Sequence, residues 1–342
     1  FLLLFRAIEP NQPRWIAYAL GASACWWLVG LAVPFYLAVL YCILGGWGLA
    51  LWLRRHTFPW AFALRAGLAA GLTLPLFAYY TIVFSRNATF AAWSAQNLLP
   101  SPHPLQYLVA YSIFIALGIV AVRWAWRRAR KQPRYALLIA WVAIVPILVY
   151  LPINVQRRTA EAVIVPLAIL AAHGLARLLR RLRPRRRGRT RTAVLALASM
   201  SSLLLLLTLS LGASGGNAPT HISVGELKAY DWLNQHAPAD AIVLSAKLTG
   251  NQLPVYTNLR PYVGHGPETL DAVEKETLTE RFFGDQMNID ERVGLYASVN
   301  IRYVFYGPTE QALSSPDVTH LNWADGLELL YDENGYRIYA VP

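Results

Sequence analysis

The chain has 342 residues, of which 56% are hydrophobic, and it carries a formal net charge of +12. Residues 1–213 contain 23 Lys and Arg but only two acidic residues, whereas residues 214–342 contain 8 Lys and Arg and 17 acidic residues. Because the basic excess lies between apolar runs and not on a polar folded surface, it argues against nucleic acid as a partner and indicates a membrane protein.

Apolar runs long enough to cross a bilayer recur through the first part of the chain. A hydrocarbon core of about 30 Å requires roughly 20 helical residues. Such runs lie at 15–33, 35–53, 66–85, 105–122, 135–153 and 192–213, with a shorter run at 162–176. Residues 1–213 are therefore predicted to form a multi-pass α-helical membrane domain with about seven complete transmembrane helices and one partial helix. The opening "FLLLF" is typical of the tail of a membrane helix, so the chain is expected to be part of a longer protein.

The distribution of cations predicts the orientation of these helices. Alternate connections between the apolar runs contain 20 Lys and Arg in one set and only three in the other. Because cytoplasmic loops carry the excess of basic residues, the first set is predicted to be cytoplasmic. The loops at 86–104 and 152–160, and the C-terminal domain, are then extracytoplasmic, and the protein is expected in the cell membrane.

Arg157 and Arg158 lie on the outer side, against the positive-inside bias. Glu161 could neutralise one of them across a helical turn, and extension toward lipid headgroups is a second explanation. A third interpretation is a site for a phosphate or diphosphate at the membrane surface, because guanidinium groups bind such oxygens bidentately. Asn154 and Gln156 would add uncharged hydrogen-bond donors to this phosphate-binding site.

The other outer loop, residues 85–108, is long for a membrane connection and ends in three prolines at alternate positions, which predict an extended path. Its candidate substrate-binding residues are Trp93, Gln96, Asn97 and His103. An aromatic belt that anchors the protein at the interface is the alternative reading.

Residues 214–342 are predicted to form a small extracytoplasmic α/β domain after a linker rich in Gly, Ser and Asn. Ser223 and Glu226 indicate a capped helix. Runs at 241–246 and 301–307 are typical of buried strands, and Asn334-Gly335 indicates a hairpin. Further helical segments are expected near 268–283 and 289–298.

Within that domain, the turn at 262–271 contains His265 and Glu268, which could bind sugar hydroxyls or transfer protons. Gly266-Pro267 fits a simple helix start equally well. The histidines are scattered and no Cys or carboxylate group has ligand spacing, so neither a metal site nor a cofactor is predicted.

Four segments together resemble bacterial GT-C glycosyltransferases, the polyprenyl-phosphate-sugar-dependent enzymes similar to protein mannosyltransferases and lipid A aminoarabinose transferases. The segments are "AAWSAQNLLPSPHPLQYL", "YLPINVQRRTAEAVIVPLAILAAHGL", "GNQLPVYTNLRPYVGHGPET" and "IRYVFYGPTE". The resemblance covers the chain from about residue 15 to its end.

The resemblance implies a membrane glycosyltransferase that moves a sugar from a polyprenyl-phosphate donor on the extracytoplasmic face. In that superfamily the catalytic acidic residue lies in the first outer loop, which is expected upstream of residue 1, so the catalytic residue is unknown and the present chain alone should be inactive. Arg157 and Arg158 would stabilise the departing phosphate. The acceptor is not implied. A non-catalytic lipid-linked saccharide carrier or flippase is the main alternative, and a membrane-anchored interaction domain is a third.

Overall fold

The computed structural model describes residues 1–215, 221–314 and 320–342, and the chain divides into two compact units, Phe1–Leu204 and Leu205–Pro342. The first unit is helical. Its helices are α1 (Leu2–Ala7), α2 (Trp15–Ala32), α3 (Tyr36–Arg55), α4 (Trp60–Gly71), α5 (Leu74–Arg86), α6 (Ala88–Gln96), α7 (Pro104–Ala110), α8 (Ser112–Ala129), α9 (Arg134–Leu148), α10 (Ile164–Arg181) and α11 (Pro184–Ser214), which continues past the boundary between the units.

Several of these helices could cross a membrane. Among the described residues, four segments are long and apolar enough by length and composition: Trp15–Ala32, Tyr36–Arg55, Gln156–Arg181 and Pro184–Ser214. The number rises to six if the bent pairs α4–α5 and α7–α8 each count as one span, and α9 is a shorter apolar helix. The mostly helical character predicted from the apolar runs is confirmed, whereas the number of spans stays a prediction.

The bend between α4 and α5 lies where local chemistry interrupts a helix. The axes of α4 and α5 differ by 47°. There the hydroxyl of Thr73 donates to the carbonyl of Ala70, and Pro75 removes a backbone donor in the first turn of α5. Helices α7 and α8 differ by 80°. The segment 85–108, which the sequence predicts as an outer loop, is largely helical through α6 and α7, and residue 87 and residues 97–103 lie outside the helices.

Helices α8 and α10 approach each other closely at Gly174. A Cβ atom on Gly174 would lie 1.8 Å from the carbonyl oxygen of Leu117. Glycine is therefore required at this crossing, because any side chain would separate the helix backbones. The close approach fixes the positions of the residues at both ends of the helix pair.

The second unit contains a five-stranded sheet in the order β2-β1-β3-β5-β4. The strands are β1 (Ile242–Leu244), β2 (Arg260–Pro261), β3 (Ile301–Tyr306), β4 (Glu328–Glu333) and β5 (Tyr336–Ala340). Strand β1 pairs in parallel with β2 and β3, while β5 pairs antiparallel with β3 and β4. The helices are α12 (Val224–His236), α13 (Lys247–Tyr256), α14 (Ala272–Phe283), α15 (Ile289–Val299) and α16 (Pro308–Gln311). The predicted strands, hairpin and helices are confirmed.

A buried carboxylate joins the loops at the carboxyl ends of β1 and β3. The side chain of Glu310 is fully buried. One of its oxygens accepts hydrogen bonds from the backbone N–H of Ala246, at 2.8 Å, and from the hydroxyl of Thr249, at 2.6 Å. The other accepts from the N–H of Gly307, at 2.8 Å. These bonds connect two crossovers that are distant in sequence.

Candidate functional site

Two loops of the first unit, both predicted to face the extracytoplasmic side, are joined by hydrogen bonds that involve the backbone. The N–H of Leu99 donates to the carbonyl of Asn154, at 2.7 Å, and the N–H of Arg157 donates to the carbonyl of Leu99, at 3.2 Å. The N–H of Ser101 donates to the side-chain oxygen of Gln156, at 3.1 Å. The structure therefore brings together the two segments in which the sequence predicts site residues.

Two side chains extend this junction. The amide nitrogen of Asn154 donates to the carbonyl of Ser94, at 2.6 Å, and the hydroxyl of Tyr150 donates to the carbonyl of Pro102, at 2.8 Å. The amide nitrogen of Asn154 and the amide oxygen of Gln156 are thus both bonded within the protein, where they position the loops. Their predicted role as donors to a ligand phosphate stays a prediction.

Arg158 is held by contacts within the protein. Its Nε lies 3.1 Å from a carboxylate oxygen of Glu161, and its guanidinium carbon lies 5.0 Å from the centre of the Phe35 ring. The other oxygen of Glu161 accepts a hydrogen bond from the hydroxyl of Tyr36. The pairing with Glu161 that the sequence leaves open is therefore present, and it accounts for one of the two arginines.

Arg157 differs from its neighbour. It is exposed, and in the part of the chain that the structure describes its guanidinium makes no hydrogen bond or ion pair. Residues 1–213 contain only two carboxylates, and each is paired with another arginine, Glu9 with Arg6 and Glu161 with Arg158. The first unit therefore supplies no counter-ion for Arg157.

An apolar cavity of about 230 Å³ begins beside this loop junction. Its wall includes Ala160, which belongs to the same 3-10 helix, Gln156–Ala160, as Arg157. Tyr107 also lines the cavity, and its hydroxyl lies 3.2 Å from that of Ser101 at the junction. The rest of the wall is apolar and aromatic, from α7, α8, α9 and α10. An aliphatic chain is the kind of ligand that such a surface accepts.

The other residues predicted in the outer loop lie along the same segment. Trp93 is half-buried in α6, with its ring 5.9 Å from that of Phe84. Gln96 ends α6, and Asn97 follows it. His103 caps α7, where its Nδ1 accepts from the backbone N–H two residues further on. These residues therefore flank the junction with Arg157, and their role in substrate binding stays a prediction.

His265 and Glu268 belong to the second unit, at the carboxyl end of β2. The His265 Nδ1 and a Glu268 carboxylate oxygen are 2.7 Å apart, and both side chains are exposed. His265 immediately precedes a short 3-10 helix, Gly266–Glu268, and Glu268 is its last residue, in agreement with the helix-start interpretation. A second ion pair, Lys247 with Glu276 at 2.6 Å, lies next to Gly266. The structure thus pairs the two residues with each other.

The junction offers a cationic side chain, and the described residues offer no set of metal ligands. Within residues 1–215, 221–314 and 320–342, no group of three or more His, Cys, Asp or Glu side chains could hold a metal ion. The guanidinium of Arg157, in contrast, can donate parallel hydrogen bonds to two oxygens of a phosphate. The adjoining apolar cavity adds a surface for a hydrocarbon chain.

No protein-family model matches this chain, and no curated protein sequence matches it at a significant level.

Proposed function

We propose that this chain is part of an integral-membrane glycosyltransferase of the GT-C type, which takes a sugar from a polyprenyl-phosphate donor on the extracytoplasmic face of the cell membrane. The observation that carries the proposal is the exposed guanidinium of Arg157, unpaired among the described residues, on a 3-10 helix whose Ala160 lines an apolar cavity. A lipid phosphate is the ligand class that needs both features, a cation for its headgroup and an apolar surface for its chain.

The four candidate spans support the membrane location, and the cation distribution supports the orientation. In this orientation the Arg157 loop, residues 86–104 and the second unit face the extracytoplasmic side. The polyprenyl chain then enters the cavity between α8, α9 and α10 from the bilayer, and its phosphate lies at the membrane surface next to Arg157.

In the proposed reaction, an acceptor nucleophile attacks the anomeric carbon of the sugar as the bond from that carbon to the phosphate oxygen breaks. The electron pair of the broken bond stays on the polyprenyl phosphate, and the proton of the nucleophile passes to a carboxylate base expected upstream of residue 1. Arg157 stabilises the additional negative charge of the departing phosphate. Arg158, held by Glu161 and Phe35, keeps the loop in position.

Replacing Arg157 tests the proposal directly. In the full-length protein, Arg157→Gln should weaken the equilibrium binding of a polyprenyl-phosphate probe in lipid nanodiscs by more than tenfold, about 1.4 kcal/mol. Arg157→Lys should also weaken it, because an ammonium group lacks the planar fork of guanidinium. Arg86→Gln is the matched control, since Arg86 is another exposed arginine on the same predicted side, and its binding should stay within twofold of the parent. Unchanged binding in Arg157→Gln would show that the phosphate role is wrong.

The orientation itself is testable by cysteine labelling of intact cells. With Cys25 and Cys42 replaced by alanine, an Ala95→Cys variant should react with a membrane-impermeant maleimide, because its loop is predicted to lie outside. An Arg130→Cys variant should react only after the cells are permeabilised. The reverse pattern would invert the topology and place Arg157 in the cytoplasm.

A further inference from the structure

Helices α8 and α10 bring together a second group of cationic and aromatic side chains. Trp124 and Arg128 lie one turn apart on α8, and His173 and Arg177 lie one turn apart on α10. The guanidinium carbons of Arg128 and Arg177 lie 5.3 and 6.0 Å from the centre of the Trp124 ring, and the His173 ring centre lies 4.7 Å from it. We refer to these four residues as the Trp124 cluster.

The tight helix crossing and the neighbouring helix α9 hold this cluster in place. Gly174, next to His173, is the residue whose Cβ would meet the α8 backbone. On the other side, the Tyr135 ring of α9 lies 5.1 Å from the Trp124 ring. The Nδ1 of His173 is hydrogen-bonded to the carbonyl of Ile169, at 2.8 Å, which fixes the orientation of its ring. The two guanidinium groups are thus presented from a packed framework.

The cluster has no anion of its own. The only carboxylates of residues 1–213 are Glu9 and Glu161, and both are paired with other arginines. Among the described residues, neither Arg128 nor Arg177 forms an ion pair. Two guanidinium groups on one ring repel each other, so an external anion that binds between them would relieve that repulsion as well as accept their hydrogen bonds.

We propose that the Trp124 cluster binds the phosphate of an anionic phospholipid in the cytoplasmic leaflet. Under the proposed topology the cluster lies at the cytoplasmic end of α8 and α10, where the surface potential of the membrane attracts basic residues. One turn before Trp124, on the same face of α8, Val120 is 41% exposed, which gives the acyl chains an apolar surface beside the phosphate. A soluble anion would gain nothing from that surface. The site depends on the topology but not on glycosyl transfer.

Lipid retention by the intact, purified protein tests this site. After exchange into micelles that contain equal amounts of phosphatidylcholine and phosphatidylglycerol, native mass spectrometry should show that the parent protein preferentially retains phosphatidylglycerol. The double variant Arg128→Gln/Arg177→Gln should lose that preference at least tenfold. The control, Arg185→Gln/Arg189→Gln, removes the same charge from exposed positions of α11 outside the cluster and should keep it.

The outcomes distinguish a specific lipid-binding site from general electrostatic attraction between a basic protein and anionic lipids. An equal loss in both double variants would overturn the proposal, because net charge alone would then explain retention. Retention that survives Arg128→Gln/Arg177→Gln would overturn it too, provided that the variant elutes as a folded monodisperse protein. Inorganic phosphate should raise the melting temperature of the parent far less than phosphatidylglycerol does, and an equal rise would show that the ligand is not a lipid. Because Arg157→Gln should leave this retention unchanged, failure here is distinguishable from failure of the glycosyltransferase proposal.

Discussion

Replacing Gly174 by alanine should destabilise the helical unit by about 3 kcal/mol or more, at the upper end of the cost of overpacking a core. The added methyl would lie 1.8 Å from the Leu117 carbonyl oxygen. A backbone atom cannot rotate away as a flexible side chain can, so α8 and α10 must separate. Thermal unfolding of the detergent-solubilised protein should therefore show a clear fall in the melting temperature.

Gly118→Ala is the matched control on the facing helix. A Cβ at Gly118 would lie 3.7 Å from the nearest atom of Leu167, which is ordinary van der Waals contact. Alanine is also favoured over glycine in a helix interior by up to about 1 kcal/mol. The control should therefore unfold at the same temperature as the parent or higher. If both variants behave alike, the close crossing of α8 and α10 is not present in the folded protein.

Acidification should strengthen the second unit through Glu310. Burial raises the pKa of this carboxyl from 4.5 to about 7, although the hydrogen bonds from Thr249, Ala246 and Gly307 lower it. Between these two pKa values the folded state binds more protons than the unfolded state, so the stabilisation is fully present below about pH 4.5 and is lost as the pH rises through 7. The full difference corresponds to roughly 3 kcal/mol.

The comparison with Glu310→Gln isolates this contribution, because glutamine has a similar shape and does not titrate. Hydrogen-exchange protection of β3 amides, measured on the intact protein and corrected for intrinsic rates, should be compared at pH 5 and pH 8. The stability of the variant relative to the parent should shift by roughly 2–3 kcal/mol in favour of the variant at pH 8. A constant difference would mean that Glu310 is ionised throughout, held by its three donors.

The sequence predicts the elements of the second unit well where the signal is local. Asn334 and Gly335 both adopt positive φ, as the hairpin turn requires. Helix α13 has no such signal, since Gly250 and Pro254 interrupt its pattern. Gly250 is there because a Cβ would lie 1.8 Å from the carbonyl oxygen of Val263. Packing against a distant loop therefore determines that α13 forms here, and the local sequence of α13 does not predict it.

The candidate site at Arg157 and Arg158 shows the same difference between features that the local sequence predicts and features that distant contacts determine. The position of Arg157 and Arg158 against the positive-inside bias singles them out from the sequence. Their different environments cannot be predicted in that way, because Glu161 is held by Tyr36 from a helix about 125 residues earlier. Half of the capping box at α12 is also absent, because Glu226 bonds instead to a residue one turn further along the same helix. The Ser223 hydroxyl accepts from the N–H of Glu226, while the Glu226 carboxylate accepts from the hydroxyl of Tyr230.

The hydrogen bonds that join the two loops also determine which substitutions this part of the protein can accept. The bonds of Leu99 with Asn154 and with Arg157 use only main-chain atoms, which nearly every amino acid provides. Most exchanges of the Leu99 side chain would therefore leave the rim of the cavity in place, and proline is the exception because it lacks the N–H. A lineage of such proteins could thus alter the side chains at the rim of the cavity by successive single substitutions, without rebuilding the backbone that presents them.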